Sequence, residues 1–213
     1  MQSLPARLAG ACILLFTRIV TAARAIWEGI DPSPGQRVYF ANHSSNGDFV
    51  LIWTVLPPAL RETTRPVAAA DYWLTSKLRA FIGRDVFRAV LIDRNPETRT
   101  EDPVGQMVEA LDDGSSLILF PEGTRNATPA RLLPFKPGLF HLASQRPTVD
   151  LVPVWITNLN HVMPKGEIVP VPLLCTVSFG APLRIEADEP KQAFLERAEA
   201  ALLALAPEEE PAS

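Results

Sequence analysis

Short apolar runs alternate with longer stretches of helical character along most of the chain. Six runs are apolar and have the length of a β-strand: residues 37–41, 66–70, 89–92, 116–120, 151–156 and 174–179. Five other stretches have the length and composition of helices: residues 49–56, 72–82, 103–111, 139–144 and 191–205. Continuous apolar runs are typical of strands that are covered on both faces. The pattern therefore predicts an α/β fold with a largely parallel central sheet flanked by helices.

The first thirty residues have a different pattern. Placed on a helical wheel at about 100° per residue, the polar positions share one arc: Arg7, Thr17, Arg18, Thr21, Arg24 and Glu28. Large apolar residues fall outside that arc: Ile13, Phe16, Ile19, Val20, Ile26 and Trp27. Residues 1–27 also hold three arginines and no acid. This make-up is typical of a helix that lies in one leaflet of a membrane. The alternative is an amphipathic helix that packs only on its own domain.

The same segment argues against a membrane-spanning helix or a signal peptide. Arg18 and Arg24 interrupt the apolar stretch before it reaches spanning length, and no clean apolar stretch leads to a small-residue cleavage site. We expect three parts in the chain: a membrane-interface helix over residues 1–30, an α/β domain over 31–206, and an acidic disordered tail over 207–213.

Composition and motifs argue against several classes of function. The chain has 213 residues and a net charge of -4, without the basic surplus of a nucleic-acid-binding protein. The two cysteines, Cys12 and Cys175, lie in unrelated contexts, so we expect no disulfide framework and a reducing compartment. No residues have metal-ligand spacing, and no P-loop or dinucleotide motif is present, so we expect neither a metal nor a bound cofactor.

A polar cluster, Asn42 to Asp48, directly follows the first predicted strand. A carboxylate at Asp48 that binds one ring nitrogen of His43 would fix the tautomer and leave the other nitrogen as a general base. The chain lacks a G-x-S-x-G nucleophile motif, which suggests that the substrate supplies the attacking hydroxyl. The alternative is structural: Asp48 could cap the next helix, and His43 could be an ordinary loop residue.

Further polar groups follow other predicted strands. The run Phe-Pro-Glu-Gly-Thr-Arg at 120–125 brings a flexible glycine and an arginine fork that suits phosphate, and it could equally be an ordinary turn. Arg94 follows the run at 89–92, after Asp93, and would more simply form a surface salt bridge. Lys136 is a further cation before a predicted helix.

Together these clusters resemble one family in order and spacing. His43-x4-Asp48 after Asn42, then Arg94, the 120–125 run, and Val-Pro-Val-Trp-Ile at 152–156 resemble the glycerolipid acyltransferases, specifically the bacterial 1-acyl-glycerol-3-phosphate acyltransferases. The resemblance implies that His43 is the base and Asp48 its partner. It also implies that Arg94, Glu122, Gly123, Thr124 and Arg125 bind the acceptor phosphate, and Lys136 is added to that set.

The resemblance further implies the partners and the place of action. The donor would be acyl-CoA or acyl carrier protein, the acceptor a lyso-phospholipid, and the site of action the cytoplasmic face of the inner membrane, with a monotopic attachment. Two departures concern the acceptor: Asn126 stands where serine is common, and Ala89 and Val90 stand where a glycine is usual. Another acceptor, such as a lyso-ornithine lipid, remains open, as do a lipid hydrolase and a non-catalytic lipid-binding protein.

Three aromatic residues and two histidines complete the expectations. Trp53, Trp73 and Phe81 would line an acyl groove or fill the core, and the core is the simpler reading. His141 is expected to be structural, and His161 lies in a proline-bounded loop without neighbouring carboxylates.

Overall fold

A computed structural model describes residues 2–95, 97, 99, 101–157 and 175–207. The helices in chain order are α1 Leu4–Thr21, α2 Asp48–Val55, α3 Pro58–Thr63, α4 Ala70–Trp73, α5 Lys77–Phe81, α6 Pro103–Asp112, α7 Gly138–Gln145 and α8 Lys191–Leu203, with a π-helical turn at Ile82–Val86. The strands are β1 Arg24–Glu28, β2 Arg37–Ala41, β3 Thr64–Ala69, β4 Val90–Ile92, β5 Ser116–Leu119, β6 Asp150–Thr157 and β7 Thr176–Gly180.

The described strands form one sheet in the order β1-β7-β6-β2-β5-β3-β4. Each neighbouring pair is parallel except β6 and β7, which are antiparallel. The central strand β2 is fully buried on both faces, as expected for a sheet covered by helices. Val38 and Phe40 pack with residues of α6, α7 and α8, whereas Tyr39 and Ala41 pack with α1 and α2. The predicted α/β architecture with a largely parallel sheet is confirmed.

The N-terminal helix is shorter than the sequence pattern predicts, and this boundary was wrong. Ala22 adopts a left-handed conformation (φ 40°) and ends α1. Residues 24–28 then pair with β7 as a parallel strand, with Trp27 stacked on Phe179 at 4.1 Å between ring centroids. Residues 24–28 therefore do not continue the amphipathic helix. Their backbone N–H and C=O groups bond to β7 instead of to a further helical turn.

Helix α1 presents two different surfaces. Its small residues Ala6 and Gly10, together with Thr17 and Thr21, are buried against the domain, and a Cβ on Gly10 would lie only 3.4 Å from Val86. Its large apolar residues face outward and are 59–69% exposed: Leu4, Leu8, Leu15, Phe16 and Ile19. The two threonines assigned to the polar arc thus face the protein, because short side chains allow the helix to approach closely.

Length and composition alone would let α1 cross a membrane, with a mean hydropathy of 1.5 over its 18 residues and 22% of them buried. The sequence pattern instead predicted that Arg18 and Arg24 would keep the apolar stretch too short to span a membrane. Arg24 lies beyond the end of α1 and therefore does not interrupt the helix. A core helix or a signal sequence would pass the same test.

Other boundaries shift by smaller amounts. The helix expected over 72–82 is divided into α4, α5 and the π-helical turn, with Ser76 capping α5 through a bond from the Arg79 N–H. Helix α3 was not predicted. His161, Leu174 and residues 208–213 of the expected tail lie outside the described residues.

Candidate active site

The loop after β2 is fixed at the carboxyl end of the sheet. The Asn42 amide donates to the carbonyl of Ile156 (3.1 Å) and accepts from the N–H of Ile156 (2.8 Å), which ties the loop to β6. This paired contact sets the direction in which the next residue, His43, leaves the sheet.

Asp48 holds the His43 ring from within the protein. The distance between His43 Nδ1 and Asp48 Oδ2 is 2.8 Å, and the same oxygen accepts the backbone N–H groups of Ser44 (2.7 Å) and Ser45 (2.8 Å). Asp48 begins α2 and is completely buried. Because Nδ1 faces the carboxylate, Nε2 is the ring nitrogen left for a substrate.

Phe120 fixes the other face of the same ring. The two rings stack with centroids 4.1 Å apart and an interplanar angle of 18°. The His43 side chain is 19% exposed, so it is held on most sides and still reaches the surface. A ring held in this way has little rotational freedom left to lose when a substrate binds.

Glu122 is buried behind the same loop. Its Oε1 accepts the backbone N–H of His43 and its Oε2 accepts the N–H of Leu133, both at 2.8 Å. Burial raises the pKa of the Glu122 carboxyl, and the two amides partly oppose that rise. Both carboxylate oxygens are thus engaged with backbone, so we interpret Glu122 as a residue that positions His43 rather than one that grips the acceptor phosphate.

Replacing Glu122 with glutamine is expected to weaken both the fold and the activity. A glutamine side chain has one acceptor oxygen, so one of the two backbone N–H groups loses its partner at a cost of about 1–3 kcal/mol. The native state binds the Glu122 proton more tightly than the unfolded state does, so this group makes the free energy of unfolding fall as pH rises above about 4.5. Urea unfolding at several pH values should show a smaller stability and the loss of that slope in E122Q. An unchanged slope would contradict the buried position of this carboxylate.

The loop after β5 passes close to Lys136. Gly123 has a positive φ of 69°, and a Cβ there would lie 3.1 Å from Cγ of Lys136. The Lys136 N–H also donates to the carbonyl of Pro121 (2.7 Å). Glycine is therefore required at this position for both conformation and space.

These two loops open into one large cleft of about 880 Å³. The predicted residues His43, Arg94, Gly123, Thr124, Arg125 and Lys136 all line it. Apolar and aromatic side chains form the remaining wall, among them Phe49, Val67, Tyr72, Trp73, Ile92 and Met107. Trp53, Trp73 and Phe81 all pack against the core, as the simpler interpretation expected, and Trp73 also lines the cleft. The cleft combines three cations, one histidine and an apolar wall.

Arg94 forms the surface salt bridge that was its simpler interpretation, and the partner, Asp71, is one that the sequence did not identify. Its Nη2 donates to both carboxylate oxygens of Asp71, at 2.9 and 3.2 Å, and Asp71 lines the same cleft. The two side chains are 48% and 63% exposed. An exposed ion pair of this kind contributes at most about 1 kcal/mol, so it leaves Arg94 free to exchange partners.

A second, smaller cavity of about 230 Å³ lies on another side of His43. It is lined by Glu122, by Arg131 and Trp155, and by hydroxyl and amide side chains including Ser44, Asn126 and Thr157. The Arg131 guanidinium lies over the Trp155 ring, 5.8 Å from its centroid. Asn126 ties this wall to the loop after β2, because its N–H donates to the carbonyl of His43 (2.7 Å).

Within the described ranges, no group of three or more His, Cys, Asp or Glu side chains could hold a metal ion. His141 lies on the exposed side of α7 and lines neither cavity.

Comparison with known proteins places this geometry in a family. A family model described as acyltransferase matches residues 26–157. A 1-acyl-sn-glycerol-3-phosphate acyltransferase of Escherichia coli (strain K12) is 32% identical over 136 residues, which cover 61% of this chain and 50% of that protein. A protein of the same name from Cocos nucifera is 29% identical over 160 residues, which cover 75% of this chain and 49% of that protein. The chain spans about half the length of the curated relatives it matches.

A solved structure shares the fold. The 1-acyl-sn-glycerophosphate acyltransferase PlsC from Thermotoga maritima matches with a TM-score of 0.68 and 20% identity, over 93% of this chain and 79% of that chain. The family model spans more than half of the chain and includes His43, Asp48 and the loop at 120–125, and the chain therefore belongs to the acyltransferase family.

Proposed function

We propose that the protein is an O-acyltransferase that moves a fatty acyl group from a thioester to the free hydroxyl of a lyso-phospholipid. The acceptor in this proposal is 1-acyl-glycerol-3-phosphate and the product phosphatidic acid, as the names of the relatives suggest. The donor is acyl-CoA or acyl carrier protein. The observation that carries the proposal is that His43, held by Asp48, lines the same cleft as Arg94, Arg125 and Lys136.

In the proposed reaction the acceptor oxygen attacks the carbonyl carbon of the thioester. His43 Nε2 takes the hydroxyl proton as the C–O bond forms, and it returns that proton to the sulfur as the C–S bond breaks. Asp48 keeps the ring in place and stabilises its charged form. Neither cysteine suits a covalent route, because Cys12 is exposed on α1 and burial raises the pKa of the Cys175 thiol.

The cleft supports a lipid with an anionic headgroup. Three cations supply charge for a phosphate, and the aromatic wall gives an acyl chain an apolar surface. Asp71 favours a second candidate, because its carboxylate beside Arg94 could pair with a cationic group. An acceptor such as a lyso-ornithine lipid would supply that group.

The direct test combines purified protein with labelled acyl donors and a panel of acceptors. Palmitoyl-CoA and palmitoyl-acyl carrier protein are each offered with 1-acyl-glycerol-3-phosphate, with lyso-ornithine lipid, and without acceptor. Labelled phosphatidic acid is the expected product. Release of free fatty acid alone would indicate a hydrolase, and lipid binding without turnover would indicate a non-catalytic protein.

Arg125 offers a prediction about the acceptor. Lysine keeps the charge and loses the planar fork, so Arg125→Lys is expected to raise the KM for the acceptor about tenfold and change the KM for the donor little. The measurement is steady-state kinetics with each substrate varied in turn. A defect confined to the donor would place the donor's phosphates at this arginine instead.

We further propose that α1 attaches the protein to the cytoplasmic face of the inner membrane. The support is its outward face of large apolar residues beside the exposed Arg7 and Arg18. Replacing both Leu15 and Phe16 with glutamate is expected to weaken binding to anionic vesicles more than tenfold, since each apolar side chain contributes about 1.5–3 kcal/mol when buried. Vesicle sedimentation measures this.

The matched control for the membrane test is Leu203→Glu. Leu203 is also an exposed apolar residue, but it lies on α8, which packs on the opposite face of the sheet. Equal loss of binding in both variants would contradict a specific attachment through α1.

A further inference from the structure

The second cavity has a different chemistry from the large cleft. Arg94, Arg125 and Lys136 all line the large cleft, whereas Arg131 is the cation among the described residues that line the small cavity. Glu122, whose carboxylate is bonded to backbone N–H groups, also lines the small cavity, as do the hydroxyl-bearing Ser44 and Thr157. A phosphate would therefore favour the large cleft, and an uncharged chain with amide groups would suit the small cavity.

Arg131 is already engaged by the protein. Its guanidinium lies over Trp155, and its Nη2 donates to the carbonyl of Pro207. The Asn126 side chain is engaged too, since it accepts from Thr128 and donates to the carbonyl of Ala130. These contacts hold the wall of the cavity in shape and leave its interior open.

Among the residues central to the proposed chemistry, His43 is the one that lines both cavities. The proposed reaction requires one base to reach two substrates, because it takes a proton from the acceptor hydroxyl and returns it to the departing sulfur. A histidine at the junction of two cavities meets that requirement when each cavity takes one substrate.

We propose that the small cavity binds the thiol arm of the acyl donor, a neutral chain of amide groups attached to the sulfur. This inference rests on the proposed function and deepens it by assigning a place to each substrate. The acceptor phosphate occupies the large cleft, the arm enters from the side of Arg131 and Trp155, and the thioester carbon lies between them beside His43. Coenzyme A and acyl carrier protein present the same arm, so the cavity recognises the chemistry common to both.

Ala130 allows the cavity to be blocked without touching the base. It is exposed in the loop that lines the cavity, so Ala130→Phe adds a ring at the entrance. Ala127→Phe is the matched control, because Ala127 is an exposed alanine of the same loop that lines neither cavity. We expect Ala130→Phe to raise the KM for palmitoyl-CoA about tenfold or more and to leave the KM for the acceptor within about twofold. Ala127→Phe should leave both unchanged.

Two further arms make the test decisive. Kinetics with palmitoyl-acyl carrier protein and with palmitoyl-CoA show which donor the wild type uses. Ala130→Phe must raise the KM for that donor. Calorimetric titration with coenzyme A measures binding without turnover, and Ala130→Phe should weaken it while Ala127→Phe does not. Thr157→Val, which removes one hydroxyl at nearly constant size, provides a second variant if Ala130→Phe lowers the melting temperature.

The failures of the two proposals are distinguishable. A wild type that transfers no acyl group to any acceptor would overturn the proposed function, and the titration with coenzyme A would still test the cavity. An active wild type in which Ala130→Phe raises only the KM for the acceptor, or changes neither KM, would overturn the assignment of the arm.

Discussion

Replacing His43 with alanine is expected to lower kcat by about 10²–10⁴-fold, the usual contribution of a general base. The ring is held by Asp48 on one side and by Phe120 on its face, and Nε2 is the nitrogen left for the acceptor hydroxyl. Because the side chain is partly exposed and lies outside the core, the fold should survive its removal. The measurement is the rate of acyl transfer at saturating donor and acceptor, with circular dichroism to check folding.

His141→Ala is the matched control for this experiment. His141 is an exposed histidine of the same protein that lines neither cavity, so its removal should leave kcat unchanged. A near wild-type kcat in His43→Ala would remove His43 from the role of base.

Asp48→Asn is expected to lower kcat by about 10²-fold or more, somewhat less than the loss of the histidine itself. One oxygen of Asp48 accepts three donors: His43 Nδ1 and the N–H groups of Ser44 and Ser45. An asparagine amide is neutral, so it no longer stabilises the charged ring, and its NH₂ group favours the wrong tautomer of His43. Kinetics across pH should show the loss in kcat at every pH, with the acceptor KM changed much less.

Asp102→Asn separates this effect from the loss of a helix cap. Asp102 caps the N-terminus of α6 and accepts two backbone N–H groups, those of Val104 and Gly105, and among the described residues no hydrogen bond joins it to a histidine. It should lose a little stability and no activity. If the two asparagine variants lower stability equally and leave kcat intact, Asp48 serves only to hold the loop that precedes α2.

The strands and the loops that bear the motifs could be predicted because their signals are local. Residues 37–41 form an uninterrupted apolar run that is buried on both faces, and the observed strand has the same bounds. The carboxyl ends of β2 and β5 then meet because the two strands are parallel neighbours, which brings His43 to Glu122. Parallel topology alone makes such loops converge.

What the sequence did not reveal depends on contacts between distant residues. A helical wheel accommodates almost any short mixture of apolar and polar residues, so the pattern extends the predicted helix over residues 24–28. These residues form a strand because β7 is available to pair with them. Asp71 pairs with a cation 23 positions away, and no spacing rule indicates that pair. Glu122 has the composition of a ligand-binding residue, yet two backbone amides from different loops engage it.

The pairing of β1 with β7 has a consequence for the order in which the chain acquires its structure. Arg24 lies opposite Thr176, so β1 is synthesised about 150 residues before its partner exists. At about 5–20 residues per second, that interval lasts roughly eight to thirty seconds during synthesis. Throughout it, the strand beside the apolar helix α1 has unpaired backbone groups that other chains could bind. The nascent protein is therefore exposed to misassembly at α1 and β1, and β1 gains its partner only when β7 is complete.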